Sequence, residues 1–114
     1  MTIFQKIIDR EIPADIVYED DHVLAFRDIN PTAPVHVLII PKRAIDKVGS
    51  ATADDAELLG RCLLGAAEVA RQLGVADDGY RLVINNGEHG GQTVYHLHVH
   101  LIAGQHLGWP PFPR

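Results

Sequence analysis

The sequence predicts an α+β domain in which a five-stranded, mainly antiparallel sheet packs against one long helix and one or two short ones. Three observations predict this architecture. Five short β-prone runs are bounded by turn-forming residues, and only one long stretch has helical periodicity. The elements follow in the order α-β-β-β-α-β-β. A length of 114 residues is that of one domain, so we assign residues 1–114 to it, with 104–114 as an irregular tail.

The first half of the chain supplies one short helix and three strands. "IFQKIIDR" has apolar residues at helical spacing and is followed by the helix-breaking Pro13. "IVYED" and "HVLAFRDI" predict a hairpin with an acidic turn at residues 19–21. "VHVLIIP" is almost continuously apolar, which is typical of a central strand, and Pro41 ends it.

The second half supplies the long helix and two strands. "TADDAELLGRCLLGAAEVARQLG" predicts a helix that Thr52 caps and Gly74 ends. Its apolar stripe consists of Leu58, Leu59, Cys62, Leu63, Ala66, Val69, Ala70 and Leu73. "YRLVIN" and "VYHLHVHLIA" predict the last two strands, and the glycine-rich "NNGEHGGQT" joins them.

Composition and charge exclude several classes of function. A formal charge of −5 argues against non-specific nucleic-acid binding, which relies on basic surfaces. Cys62 is the single cysteine, so an internal disulfide is impossible, as suits a reducing compartment. The N-terminal residues lack the pattern of a signal peptide, and the apolar runs are shorter than the ~20 residues of a transmembrane helix. We therefore expect a cytoplasmic protein with neither a nucleic-acid nor a membrane partner.

Three histidines alternate with apolar residues in "HLHVHLIAG". On a strand, His96, His98 and His100 would share one face, while the residues between them face the core. A metal site is one alternative. A strand rises ~3.3 Å per residue, so the outer two histidines start ~13 Å apart, too far for all three to reach one zinc ion easily. A metal would need two of them and a ligand from elsewhere, for which His36 is a candidate.

The catalytic alternative uses the same spacing in a different way. One central imidazole attacks, and its neighbours bind or protonate groups around the reacting centre. Imidazole suits this work because its ordinary pKa of ~6.5 leaves neutral nucleophiles and charged donors available near pH 7. The preceding loop supports this interpretation, since its glycines allow close backbone approach and its amides could cradle a phosphate.

These residues resemble a known family. "HLHVHLI" matches the signature of the histidine triad (HIT) family at every position, and "GYRLVINNGEHGGQTVYHLHVHLIAG" and "HLGWPP" resemble its HINT branch, the histidine triad nucleotide-binding proteins. The resemblance extends over nearly the whole chain. It implies a homodimer with a HIT-like fold that binds purine nucleoside monophosphates and hydrolyses their phosphoramidates, such as adenosine 5′-monophosphoramidate, and related acyl-nucleotides.

The resemblance also implies a role for each histidine. His98 matches the nucleophile that becomes nucleotidylated, and His100 matches the residue that contacts the phosphate near the leaving group. His96 matches the member that orders the site. His36 matches a fourth histidine that supports the ring of the nucleophile.

Ten further residues match the nucleotide contacts of the family. Without the resemblance, Asp28 would equally be a turn-capping aspartate, and the apolar members would be plain core. The matching positions are Asn85, Gly91, Gln92 and Thr93 for phosphate and ribose, Asp28 and Ile29 for ribose, and Ile3, Phe4, Ile7 and Phe26 for the wall against the base.

The chain departs from its relatives in two places. Many bacterial relatives bind structural zinc through a Cys-x-x-Cys pair and a later histidine, whereas this chain has Thr2, Gln5 and Ala44 at those positions. We therefore expect no metal and no other cofactor. The tail "WPPFPR" runs past the usual ending, so the substrate preference of the relatives is not carried over to this chain.

The hypothesis is a two-step hydrolysis through a covalent nucleotidyl-His98. A protonated neighbour, His100 or the hydroxyl of Thr93, would assist the leaving group, and no metal would be needed. Two alternatives stay open: a dinucleoside polyphosphate hydrolase of the same family, and a nucleotide-binding regulatory or interaction module with vestigial catalysis.

Overall fold

The computed structural model describes residues 1–112, and the fold it shows is the predicted α+β architecture. Five strands form one sheet in the order β1-β2-β3-β5-β4, and each neighbouring pair is antiparallel. The helices are α1 (Ile3–Ile8) and α2 (Ala56–Gln72), with 3₁₀ turns at Val48–Ser50 and Ala53–Asp55. The strands are β1 (Ile16–Glu19), β2 (Val23–Arg27), β3 (Val35–Pro41), β4 (Arg81–Val83) and β5 (Val99–Ala103).

The sheet has a separate core on each face. On one face, alternate residues of β2, β3 and β5 pack against α2 through a cluster of small and branched side chains. On the other face, side chains of α1 pack against β2 and β3. This second cluster consists of Phe4, Ile7, Leu24, Phe26, Leu38 and Ile40. In β5, Val99 and Leu101 face α2, as their alternation predicts, which leaves His100 on the face of the second cluster.

The long helix begins later than predicted. Thr52 accepts a hydrogen bond from the Asp54 N–H, and the Asp55 side chain accepts one from the Thr52 N–H, which forms a capping box. This box caps the 3₁₀ turn Ala53–Asp55, and α2 follows it. Leu63 of the predicted apolar stripe is 45% exposed. The buried residues of α2 are Cys62, Gly65, Ala66, Val69 and Ala70.

The last strand is shorter than predicted. Residues 94–98 form no strand, so His96 and His98 do not belong to a regular β-strand as the alternation predicted. The physical reason is that the segment makes other hydrogen bonds. The Leu97 N–H donates to the carbonyl of Ile45, and the Val94 carbonyl accepts from the side-chain amide of Gln92. The strand "YRLVIN" is also shorter, with only Arg81–Val83 paired.

The tail leaves the sheet after β5. Its residues 104–112 form no helix or strand, and the guanidinium of Arg81 donates to the Gly108 carbonyl at 2.6 Å. Residues 113 and 114 of the predicted tail lie outside the described range. Within residues 1–112, no helix has both the length and the apolar character needed to cross a membrane.

Candidate active site

A cavity of about 320 Å³ opens on the sheet face that α1 covers. It is bounded by α1, by the loop after β2 and by the segment that leads into β5. Nine of the predicted site residues line it: Ile3, Phe4, Ile7, Phe26, Asp28, Ile29, Thr93, His98 and His100. The structure thus places the predicted apolar wall, one carboxylate and two histidines around a single cavity.

The ring of His98 is held in one orientation at the floor of this cavity. Its Nδ1 lies 2.7 Å from the carbonyl oxygen of His96, and Phe4 packs edge-on against it with ring centroids 5.0 Å apart. A carbonyl only accepts, so Nδ1 carries the proton, and the lone pair of Nε2 is left for chemistry. Burial lowers the pKa of His98, which keeps the ring neutral near pH 7. A neutral imidazole with a free Nε2 is the form of histidine that can act as a nucleophile.

His96 acts behind the cavity wall and does not line it. It is 1% exposed, and its Nε2 donates to the carbonyl of Pro41 at 2.8 Å. Burial lowers its pKa as well, so this internal donor is neutral. His96 therefore ties the segment before β5 to the end of β3, and its own carbonyl orients His98.

His36 contacts the ring of His100. The family resemblance had implied that His36 supports the ring of His98. Its Nε2 lies 2.9 Å from Nδ1 of His100, with the two rings 5.2 Å apart. The strand register explains this pairing. Leu38 is directly opposite His100 in the β3–β5 ladder, so His36, two residues earlier on the same face, is its diagonal neighbour.

The hydrogen bonds of this histidine pair fix the positions of its protons. The backbone N–H of Thr32 donates to Nδ1 of His36 at 3.1 Å, so that nitrogen is unprotonated and the His36 proton sits on Nε2. Nε2–H then donates to Nδ1 of His100, and the proton of His100 lies on its own Nε2. That Nε2 is the one buried side-chain nitrogen or oxygen in residues 1–112 that has no hydrogen-bond partner. It is a free donor beside His98.

The protonation state that the sequence predicts for His100 differs from the one that the structure supports. Burial lowers its pKa to about 4, and the neighbouring His98 and His36 act in the same direction. The sequence predicted a charged His100 near pH 7, whereas the buried residue is neutral there. An anionic phosphate in the cavity would favour the charged form and oppose this shift.

Asp28 lies next to the histidines of the cavity. Its Oδ1 accepts from the Asn30 N–H at 2.8 Å, and its Oδ2 is 3.5 Å from Nε2 of His36. The carboxylate therefore caps the turn before Pro31, as the alternative interpretation held, and still lines the cavity.

The glycine-rich loop contributes less surface to the cavity than predicted. Gln92 is buried, and its amide nitrogen donates to the carbonyls of Asp46 and Val94 while its oxygen accepts from the Gly87 N–H. Its side chain therefore braces the loop, and the structure does not present it to a phosphate. Asn85 and Gly91 also lie outside the cavity lining, although Gly91 has the positive φ (83°) that its position requires.

One set of side chains has donor atoms close enough to hold a metal ion. Atoms of Asp28, His36 and His100 all lie within 4.8 Å of one another. The 2.9 Å between the two imidazole nitrogens is the length of a hydrogen bond. Two nitrogens bound ~2.1 Å from one tetrahedral zinc would be about 3.4 Å apart. The structure thus supports a hydrogen-bonded pair here. That the protein works without a metal stays a prediction.

Sequence reasoning missed several residues of the cavity. Ile12, Pro13 and Ala14 after α1 complete the apolar wall, and Leu38 forms part of the floor. Leu38 could have been found, because it alternates with His36 in a predicted strand. Thr32 was missed because only the folded loop brings it to His36.

Comparison with known proteins agrees with this geometry. The family model described as the HIT domain matches residues 9–107. The purine nucleoside phosphoramidase of Escherichia coli (strain K12) is 57% identical over 107 residues, which cover 94% of this chain and 90% of that protein. A 14 kDa zinc-binding protein of Zea mays is 56% identical over 112 residues, 96% of this chain and 87% of that one.

The fold also matches that of a solved structure. The crystal structure of a HIT family hydrolase from Legionella pneumophila Philadelphia 1 has a TM-score of 0.96 and 48% sequence identity, and the match covers 98% of this chain and 100% of that chain. A family match across most of the chain, together with relatives of this identity, establishes the classification. The chain belongs to the HIT domain family.

Proposed function

We propose that this protein is a nucleotide-binding hydrolase that cleaves purine nucleoside 5′-phosphoramidates and related acyl-nucleotides through a nucleotidyl-His98 intermediate. The observation that carries the proposal is the state of His98: a buried, neutral ring whose Nδ1–H is held by the His96 carbonyl and whose Nε2 is free at the cavity floor. The Escherichia coli relative named purine nucleoside phosphoramidase supports the choice of substrate class.

The cavity suits a nucleoside monophosphate in shape and polarity. The base would lie against the apolar wall formed by Ile3, Phe4 and Ile7, and the ribose hydroxyls would donate to the carboxylate of Asp28. The phosphate would then reach His98 and His100, whose ring centroids are 4.9 Å apart, and the hydroxyl of Thr93, which also lines the cavity. We assign Asn85, Gly91 and Gln92 to the support of this loop and not to direct contact through their side chains.

The chemistry takes two steps. Nε2 of His98 attacks the phosphorus, an N–P bond forms, and the bond to the leaving amine breaks with its electron pair moving to the nitrogen, which takes up a proton. The Nε2–H of His100 supplies that proton to the departing amine. Water then attacks the same phosphorus and loses a proton to solvent. The N–P bond breaks with its electron pair returning to Nε2, so the nucleoside monophosphate leaves neutral His98 behind.

A homodimer is part of the proposal. The outer edge of β4 is unpaired within residues 1–112, and Leu63 and Leu64 of α2 are 45% and 71% exposed. A second copy could cover both features. Light scattering after size exclusion would then give twice the 12.5 kDa of one chain, and a mass of one chain would refute this part.

The decisive assay compares wild type with His98→Ala. The variant should lose turnover of adenosine 5′-monophosphoramidate and still bind AMP, because the wall and Asp28 remain. His22→Ala is the matched control, since His22 is exposed and lies outside the cavity lining. A wild-type protein that binds AMP without turnover would favour the regulatory alternative, and one that cleaves only dinucleoside polyphosphates would favour the other hydrolase branch.

A further inference from the structure

The arrangement of protons around His100 raises a problem for the departure of an amine. We take the Nε2–H of His100 as the donor that gives the amine its proton, because this nitrogen has no partner in residues 1–112 and its residue lines the cavity. The ring is neutral, however, with its Nδ1 accepting a hydrogen bond. A neutral imidazole that lost its only proton would become an anion. His100 can therefore serve as an acid only if Nδ1 receives a proton as Nε2–H is given up.

The source of that proton is His36. Its Nε2–H points at Nδ1 of His100 over 2.9 Å. His36 can release this proton without itself becoming an anion only if it holds a second proton on Nδ1. The group that meets Nδ1 is Thr32, whose hydroxyl oxygen lies 3.4 Å away and whose N–H lies 3.1 Å away.

We propose that Thr32 is a positioning residue of this reaction. Its hydroxyl accepts a hydrogen bond from Nδ1–H of His36 when that nitrogen is protonated, and Asp28 stabilises the charge of the protonated ring. The proposal rests on the proposed phosphoramidase function. Thr32 can meet both states. Its N–H donates to the unprotonated Nδ1, and when Nδ1 is protonated that hydrogen bond is lost and the hydroxyl becomes the acceptor. The Asp28 carboxylate, 3.5 Å from the ring, supplies the opposite charge.

The relay conserves both protons and charge. The anionic substrate draws one proton from water into the pair, and it resides on Nδ1 of His36. As His98 displaces the amine, Nε2–H of His36 moves to Nδ1 of His100, and Nε2–H of His100 moves to the amine nitrogen. Both imidazoles end neutral, with His36 donating its Nδ1–H to the Thr32 hydroxyl.

The groups around the pair place the nearest carboxylate beside His36. His36 is faced by Asp28 and Thr32 from the loop after β2, and by His100 from β5. His100 has His98 on its other side, with ring centroids 4.9 Å apart, and a positive charge there would lie beside the nucleophile. Asp28 is nearest to His36, so a charge on that ring is better compensated.

The test uses two substrates that differ only in whether the leaving group needs a proton. Adenosine 5′-monophosphoramidate releases an amine, whereas the 4-nitrophenyl ester of AMP releases a phenolate that needs none. Thr32→Val removes the hydroxyl and keeps the N–H. Its kcat/KM should fall about tenfold for the phosphoramidate, the loss expected for one hydrogen bond to a charged group, and stay within twofold for the ester.

Thr32→Ser is the matched control, since it restores the hydroxyl and should restore the phosphoramidate rate. A purely structural role for Thr32 would lower both rates together. Equal loss on both substrates, or no loss on either, would overturn the proposal. Thr32 is an exposed loop residue, so neither variant disturbs the core.

A binding measurement separates failure of this proposal from failure of the proposed function. Calorimetry of AMP binding in two buffers of different ionisation enthalpy reports proton uptake without any turnover. Wild type and Thr32→Ser should take up more protons per AMP than Thr32→Val. Equal uptake in all three would overturn the relay, whatever the turnover. A protein that binds no AMP would refute the proposed function, and the relay with it.

Discussion

Burial of His100 makes the folded protein sensitive to mild acid. The pKa of this imidazole falls from its usual 6.5 to about 4 on folding, so the unfolded chain binds more protons between these two values. The stabilisation from the neutral ring is complete above pH 6.5 and is lost progressively as the pH falls towards 4. Burial also lowers the pKa of His96 and His98, which adds to the effect.

The size of the effect follows from these values. At pH 5 the unfolded imidazole is almost fully protonated, whereas about one tenth of folded His100 is. With about 1.36 kcal/mol for each pKa unit, His100 alone lowers the free energy of unfolding by about 2 kcal/mol between pH 7.5 and pH 5. Hydrogen bonds lower the pKa of four carboxyl groups, those of Glu19, Asp20, Asp46 and Asp55. They affect stability mainly below this pH window, because the usual pKa is 4.5 for the glutamate and 3.8 for the aspartates.

Urea unfolding at pH 7.5, 6.5 and 5.0 measures this loss. His100→Asn keeps an acceptor for the His36 Nε2–H and removes the titrating ring, so its pH-dependent loss should be smaller than that of wild type by about 2 kcal/mol. His89→Asn, in an exposed part of the glycine-rich loop, is the control and should follow the wild-type curve. An unchanged pH dependence in His100→Asn would refute the claim that this ring is buried neutral.

Three further predictions concern the groups around the site. Gln92→Ala should lower the free energy of unfolding by about 2 kcal/mol in urea, because its buried amide joins Asp46, Val94 and Gly87; a loss below about 0.5 kcal/mol would show that it does not brace the loop. Phe4→Ala should cost about 3 kcal/mol and weaken AMP binding, while Phe4→Leu should do less of both, since the ring packs on Phe26 and His98. Cys62 should react with a thiol reagent at pH 8 at least about 100-fold more slowly than in the urea-unfolded chain, because burial raises its pKa to about 11; rapid labelling of the native protein would contradict its position under α2.

The sheet was predictable because its hydrophobic patterns are strong and local. The continuous apolar run of β3 correctly predicts the central strand, and the alternation of Val99 and Leu101 with His100 correctly predicts their two faces. The same alternation failed for His96 and His98. Their positions depend on hydrogen bonds to Pro41 and within the segment, and no periodicity reports such bonds.

The sequence predicted which residues line the site better than it predicted the contacts between them. The histidine row and the family resemblance predicted that His98, His100 and Asp28 lie around one site, and all three line the cavity. The pairing of His36 with His100 depends on the register of β3 against β5, which is a long-range property of the sheet. The approach of Thr32 to His36 depends on the conformation of a proline-rich loop, for which the sequence offers no comparable pattern.

The covalent intermediate is the central claim, and it can be observed directly. Wild type is mixed with adenosine 5′-monophosphoramidate, quenched within its first turnovers, digested and examined by mass spectrometry. We expect an adenylyl group on the peptide that contains the triad, assigned by fragmentation to His98 and absent from His98→Ala. Turnover without any adduct, or an adduct on His96 or His100 in place of His98, would contradict it.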